Sequence, residues 1–321
     1  MQGPILRTDV AACVNEAPFV DSLAIGEKVM PAFPVVAQRG QYLKVQTGGG
    51  QLLRGDVMPR GSSSEAALIT AEYTSDTYTC QRFSLKERVD RLDNAYTSAF
   101  GLEQLAEAAM RIKRNQIIAH EARVASAIFN PNTFNCVSGA TAYTEALLSS
   151  IDFVKDINDA KDRLLLKGYN PQECTIVIPQ QVLTRVARTP KLQSYRSLGQ
   201  IPVENVINFT NTAGLSALAQ VLEVKEILVG RIPRDTAAKG KSPNTSFVWS
   251  NNYIWIGNVA SGDFRNGGAG RTLYWDEMGG LYTVKSYYID KLDSTDVEVD
   301  AFLTEKVIDA KSAELIQTSF Q

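Results

Sequence analysis

The sequence predicts an α+β chain in which one long helix follows an extended β-hairpin and precedes a compact α/β unit. Three observations carry that reading. Residues 38–90 hold two strand-like segments joined by a Gly- and Ser-rich connection. Residues 98–129 repeat apolar side chains at helical spacing. After residue 150, short amphipathic helices alternate with apolar strands.

The bulk composition limits the function classes. Of 321 residues, 44% are hydrophobic and 21% charged, which supports packed cores and excludes global disorder. The length suffices for two compact units or for one domain with large extensions. A net charge of −2 gives no bulk attraction to nucleic acid or to an anionic membrane. No apolar run approaches the roughly 18 residues of a spanning helix. MQGPILRTDVAACV has neither a basic start nor a long apolar core, so no secretory signal is expected. Cys13, Cys80, Cys136 and Cys174 are scattered, a pattern of reduced, structural thiols and not of a disulfide frame.

Residues 1–37 carry Pro4, Pro18, Pro31 and Pro34 with little periodicity, which suits an extended arm with at most a short helix. In residues 38–90, QYLKVQT reads as a strand through Tyr42, Leu43 and Val45. Gly48–Gly50, Gly55, Pro59, Gly61 and Ser62–Ser64 then exclude a helix, and a second strand set runs over Tyr73–Val89. A polar connection of this length is uncommon inside a compact domain. The hairpin has few residues with which to build its own core, so support must come from outside it.

Over 98–129, Leu102, Leu105, Ala109, Ile112, Ile117, Val124 and Ile128 recur at helical spacing, and Pro131 lies just beyond. About 30 residues at ~1.5 Å rise make a rod of roughly 45 Å. A helix is expected from about Ser150 to Lys167, stopped by Gly168, followed by a turn at Asn170-Pro171 and the buried-type strand CTIVIP. QQVLTRVAR and LSALAQVL read as helices, EILVG as a strand, and FVWS and YIWIGN as strands split by Asn251-Asn252. From Leu281 onward the chain is expected to return as strands to the long helix.

Chemistry-bearing constellations are scarce. His120 is the sole histidine, so His-based metal sites and most general-base schemes lack material; a packed helix histidine is expected. There is no CxxC pair, and Gly267–Arg271 lacks phosphate-loop spacing. Asp290/Asp293 and Asp296/Glu298/Asp300 are expected to be charge on a solvated strand face, since EF-hand spacing is missing. Asn208 and Asn244 match the glycosylation triplet, which a reduced chain would leave unmodified. No catalytic, cofactor or metal residues are therefore assigned.

The order of parts resembles the major capsid proteins of tailed bacteriophages, whose shell fold is shared with encapsulins and the herpesvirus capsid floor. The likeness covers nearly the whole chain. DVMPRGSSSEAALITAEYTSDTYTCQRFSLKERVDR is similar to the extended loop and its return, and AFGLEQLAEAAMRIKRNQIIAHEARVASAIFN to the spine helix. YNPQECTIVIPQQVLTRVAR, VKEILVGR and NNYIWIGN resemble elements of the axial domain. The resemblance implies an N-terminal arm over 1–37 and an extended loop over 38–90. It further implies a spine helix with peripheral domain over 91–136, an axial domain over 137–280, and returning peripheral strands over 281–321.

It also implies a structural, non-enzymatic subunit of an icosahedral virion, assembled in the host cytoplasm as hexamers and pentamers around double-stranded DNA that it touches weakly. Scaffolding, portal and decoration proteins are implied partners, with no membrane. Some relatives carry a cleaved scaffolding segment of about a hundred residues; here the arm is short, which implies a separate scaffolding protein or a chain numbered without that segment. Some relatives crosslink subunits through Lys and Asn; Lys44 is the nearest loop lysine. Arg54 and Arg60 at the loop tip are expected to meet acidic residues of a neighbour, with Glu103 and Glu107 on the long helix as candidates. Two other readings stay open: an encapsulin-type compartment enclosing protein, and a soluble enzyme or binding protein whose loop is a lid.

Overall fold

A computed structural model describes residues 5–6, 23–45, 59, 62, 73–98, 103–197, 212–238, 240–262 and 268–319. Two sheets organise it, with a long helix lying against the first and reaching the second. The first sheet is centred on β14 (Ser294–Val307), a strand of 14 residues. On one side β14 pairs antiparallel with β13 (Thr283–Ile289), which carries the two-residue strand β1 (Ile5–Leu6) on its far edge. On the other side it pairs with β5 (Gln81–Asp90) and then β12 (Gly270–Trp275). β2 (Ala32–Val35) pairs parallel with β12, reinforced by Thr272, whose N and Oγ1 donate to the carbonyls of Pro31 and Met30.

The long helix, α3 (Gln104–Ile128), lies on this sheet. Ala109 and Ile112 pack against Val284, Val297 and Val299, where β14 alternates apolar residues toward the helix and acids away from it. Gln116 Nε2 donates to the carbonyls of Phe83 and Val299 at 3.1 and 3.4 Å. The expected helix over 98–129 is thus shorter, about 37 Å at ~1.5 Å per residue, and it follows a separate helix. That helix, α2 (Arg91–Ser98), starts where the Asp90 carboxylate accepts from Leu92 N at 2.8 Å. An Asp at this position satisfies an otherwise orphaned N–H and so begins a new helix.

The second sheet has strand order β6 (Asn135–Ser138), β15 (Ala313–Gln317), β11 (Tyr253–Asn258), β7 (Cys174–Pro179) and β8 (Glu226–Gly230). Every residue of β7 is buried, as the continuous apolar run CTIVIP requires. Helices α4 (Phe153–Leu166), α5 (Gln180–Ala187) and α7 (Thr212–Val221) contribute Ile157, Leu164, Val182, Val186 and Leu218 to the core over it. The short helix α6 (Pro190–Ser197) follows α5. Gly168, at φ +88°, ends α4 in the left-handed conformation that glycine adopts without strain. Asn170 Oδ1 accepts from Gln172 N at 3.1 Å and closes the predicted Asn-Pro turn. A second apolar cluster joins this sheet to α3 and to α1 (Gly26–Val29) through Val29, Val124, Ile128, Trp249 and Trp255.

Sheet membership crosses the divisions expected from the sequence. β13 and β14 return to α3, but β15 pairs with β11 and β6 in the second sheet. β12 and β2, from the segments expected to be axial domain and arm, lie in the first sheet. The strand expected at FVWS is displaced: β10 (Thr245–Phe247) pairs with β9 (Pro233–Asp235), and Trp249 enters the core instead.

Candidate assembly surfaces

β3 (Arg39–Val45) and β4 (Tyr73–Thr79) form a two-stranded sheet of their own, paired from Arg39↔Thr79 to Val45↔Tyr73. Tyr42 is the one buried side chain that the described part of this hairpin contributes. A ribbon without a core is held by polar contacts along its length. Tyr42 donates to Asp76 Oδ2 at 3.1 Å, and Lys44 Nζ pairs with the same oxygen at 2.8 Å. Lys44 holds the Asp76 carboxyl down to about 2; burial and the adjacent carboxylate push the Tyr42 phenol up. At the root, Tyr78 donates to Ala37 O and Gln38 Nε2 to Cys80 O.

Immediately after the root, β5 lays basic residues over the acids of β14. Arg82 donates to Glu298 at 2.8 Å and to Asp300 at 3.0 Å, Lys86 to Asp296 at 3.1 Å, and Arg88 Nε to Asp296 at 2.7 Å. Lys285 of β13 reaches Asp300 at 2.9 Å, and Ser84 donates to it as well. Arg88 is the chief cause holding the Asp296 carboxyl below its ordinary range. At Asp300 burial works upward, but Ser84, Lys285 and Arg82 outweigh it and the pKa is lowered. Asp296 and Asp300 are 1% and 0% exposed, so the expected solvated acidic face is instead buried beneath long basic side chains. The methylene stems of Arg and Lys bring this about: they cover the acids while their charged ends stay in water.

Of the five residues expected at intersubunit contacts, Arg54 and Arg60 lie outside the described residues. Lys44 sits on the hairpin, with its ion pair inside it. Glu103 is exposed at the N-cap position of α3, and Glu107, half-buried one turn on, donates its N–H to Glu103 O at 3.1 Å and adds to the negative field on Arg111. The described residues hold no contact that brings Lys44 to Glu103 or Glu107.

Two buried groups tie the long helix to distant segments. Glu121 accepts from Ile25 N at 3.1 Å, Gly26 N at 2.7 Å and Trp249 Nε1 at 2.7 Å. Burial raises its pKa against the pull of those three donors. A Cβ at Gly26 would stand 2.6 Å from Glu121 Oε2, so this carboxylate needs glycine there. His120 Nδ1 lies 2.8 Å from Glu305 Oε1, beside Arg123 Nε on the same oxygen at 2.8 Å. The helix histidine is thus packed, as expected. Burial pushes the thiols of Cys80 and Cys174 up to about 11 and about 12, which keeps them protonated and unreactive at neutral pH. Among the described residues no group of His, Cys, Asp or Glu could hold a metal ion, and no helix is long and apolar enough to cross a membrane.

Sequence reasoning missed Asp76 and Glu121 and misread the β14 acids. The β14 signal was present: Arg82, Lys86 and Arg88 share the two-residue period of Asp296, Glu298 and Asp300. Opposite charges at matched period are what two paired strands display on one face. Nothing in the local sequence around Glu121 announces partners 95 and 128 residues away.

No protein-family profile and no curated protein matches the chain. Solved structures do. A phage-related protein from Bordetella bronchiseptica RB50 superposes with a TM-score of 0.68 at 20% identity, over 99% of this chain and 98% of that one. The capsid structure of cyanophage P-SCSP1u gives 0.58 at 11% identity, covering 93% and 89%. A virus-like particle from Pyrococcus furiosus gives 0.54 at 9% identity, covering 97% and 96%. The fold is therefore the shell fold of phage capsid proteins, an α+β architecture with an extended hairpin and a long spine helix, and it spans the whole chain.

Proposed function

We propose that this chain is the structural shell subunit of an icosahedral bacteriophage capsid and is not an enzyme. The observation that carries the reading is the β3–β4 hairpin, built as part of a capsid fold with one buried side chain among its described residues. Such a ribbon is marginal in water by itself; laid across a neighbouring subunit it would gain the apolar cover it lacks. Hexamers and pentamers of the chain would then close through many modest contacts. In this assignment 1–37 is the arm, 38–90 the loop, 91–136 with 281–321 the peripheral domain, and 137–280 the axial domain, modified by the strand exchanges described above. Arg54, Arg60 and Lys44 are proposed to contact the neighbour, with Glu103 and Glu107 among the acids they meet.

Assembly in the host cytoplasm with scaffolding, portal and decoration proteins follows from the same assignment, as does weak, salt-sensitive contact with packaged DNA. Electron microscopy and sedimentation of the purified protein, alone and with its genomic neighbours, test it. Closed shells that package DNA are the expected result. A strict monomer in every salt and crowding condition overturns the reading, and shells that retain a host protein in place of DNA assign an encapsulin-type compartment.

A further inference from the structure

The chain carries a second unsupported ribbon. β9 and β10 pair only with each other, and all six of their residues are exposed. Hydrogen bonds among its described residues nevertheless close the ribbon. Asp235 accepts from Ala237 N and Asn244 N, both at 2.9 Å. Thr236 donates to Asn244 O through N at 2.9 Å and through Oγ1 at 3.0 Å. Gly240 turns at φ +84°, where no L side chain rests comfortably. Grooves of about 480 and 280 Å³ flank the ribbon and share Phe247, which is 39% exposed. The sequence of the ribbon sets Arg234, Lys239 and Lys241 against Asp235 alone, whose carboxylate is already engaged by backbone N–H groups.

A surface of opposite character lies at the other end of α3. There β5 ends, α2 begins and β13 turns into β14; Arg91 N donates to Asp293 O at 3.1 Å, which holds the three together. Leu92, Tyr96, Tyr288 and Leu292 are among the most exposed large apolar residues of the chain, Leu92 at 77% and Tyr96 at 71%. Asp90, Asp93, Asp290 and Asp293 outnumber Arg91 and Lys291 around them. An exposed apolar patch with a charged rim is the mark of a contact surface. The ends are distinct because β14 runs alongside α3. Val297 and Val299 lie at Ala109 and Ile112, and Glu305 at His120 and Arg123, so the acidic corner lies beyond the helix's start. The ribbon's groove is lined by Ala122, Ser126 and Phe129 at its finish.

We infer that the basic β9–β10 ribbon of one subunit docks on the acidic, apolar corner of a second copy of this chain. Phe247 covers Leu92 and Leu292, while Arg234 and Lys241 face Asp90 and Asp290. The surfaces are different and sit toward opposite ends of the subunit, so the contact is head to tail and passes from copy to copy instead of closing as a dimer. Complementary charge sets the partner and the register. The inference rests on the shell reading above.

The test uses the full-length protein, with assembly read by sedimentation and electron microscopy and folding read by thermal melting. Arg234→Glu with Lys241→Glu is one variant, Asp90→Lys with Asp290→Lys a second, and their combination a third. The ribbon variant should melt like the wild type, and the two that carry Asp90→Lys slightly lower, because the carboxylate that caps α2 is lost; recovery in the combined variant separates docking from that loss. Each reversal alone should lower the assembled fraction about tenfold at low salt, since like charges then face each other. The combined variant should recover most of that loss, because the pairs are restored with exchanged sign. Wild-type assembly by either single reversal overturns the inference, and so does a combined variant that is worse than both. Ribbon variants that assemble normally but lose nucleic acid would show that the ribbon faces a polyanion instead. Failure of the wild type to assemble in any condition sinks the shell reading itself, a result distinct from these.

Discussion

The strand β7 and the hairpin β3–β4 are similar in strand length and opposite in what surrounds them. All six residues of β7 are buried, flanked by β11 and β8 and covered by α4, α5 and α7. Tyr42 alone is buried among the described side chains of the hairpin, and its hydrogen bond goes to an acid of the same ribbon. β7 is paired on both edges, whereas β3 and β4 pair only with each other. The two regions therefore differ in backbone pairing as well as in apolar cover. One region carries the stability of the subunit, and the other has surface to spare for a partner.

The largest effect is expected where cover is complete. Trp255 is fully buried and meets Phe134 edge-on at 6.4 Å. Trp255→Ala should cost about 3–5 kcal/mol through lost contacts and a residual cavity, visible as a lowered denaturation midpoint. Tyr42→Ala should stay within about 1 kcal/mol in the same measurement. Equal losses would show that the hairpin is as integral to the subunit as the sheet.

A smaller loss is expected at Glu121, which links the arm to both sheets. Glu121→Ala leaves Ile25 N, Gly26 N and Trp249 Nε1 without their acceptor. Unsatisfied buried donors cost about 1–3 kcal/mol, and the arm should become open to proteolysis near Gly26 before the rest of the chain. Cleavage no faster than in the wild type would mean that β2 alone anchors this segment.

Acid should separate the regions further. Asp296 and Asp300 are held below the ordinary carboxylate range by Arg88, Lys86, Ser84, Lys285 and Arg82. A folded-state pKa below the unfolded one gives stability that is full above the unfolded value and lost as pH falls through the folded one. The first sheet should thus weaken below about pH 4, and Asp296→Asn with Asp300→Asn should flatten that dependence. Hydrogen exchange in β5 and β7 across pH 2–5 reads it directly. An unchanged slope in the double variant would place the acid sensitivity elsewhere.

What could be read in advance follows from the range of the forces. The helix α4, its stop at Gly168, the Asn170-Pro171 turn and β7 are set by neighbours a few residues apart, and the sequence placed them closely. The helix α2 was not expected because its start is set by the capping of Leu92 N by Asp90 and not by an apolar period. β15 was assigned to the wrong sheet because AELIQ is apolar enough for either. Its place is set by Glu314, buried where Asn135 of β6, Arg163 of α4 and Lys167 at the end of α4 reach it. The candidate contact residues divide in the same manner. Lys44 is singled out by the family resemblance, and its pairing with Asp76 depends on strand register, which the resemblance does not specify.

The smallest effect on the subunit should come from the tip of the hairpin, where Arg54 and Arg60 fall between β3 and β4. Neither would have to be paired within the subunit for the fold to stand, since the roots of the ribbon are fixed by Tyr78, Gln38 and Cys80. An arginine fork suits the carboxylates of a neighbour, and an exposed pair contributes roughly 0.2–1 kcal/mol. In one subunit that increment is within the error of a melting curve. In a shell of many copies it recurs at every loop, so the assembled fraction responds far more steeply than any single contact. Arg54→Glu with Arg60→Glu should therefore leave the melting of the free subunit unchanged and lower the assembled fraction. The loss should be sharpest at low salt, where charge acts over about 30 Å in place of about 8 Å. Equal assembly of variant and wild type across a salt series would mean that the two arginines only keep the tip soluble. The contrast between the covered strand and the bare hairpin would then rest on backbone and apolar contacts alone.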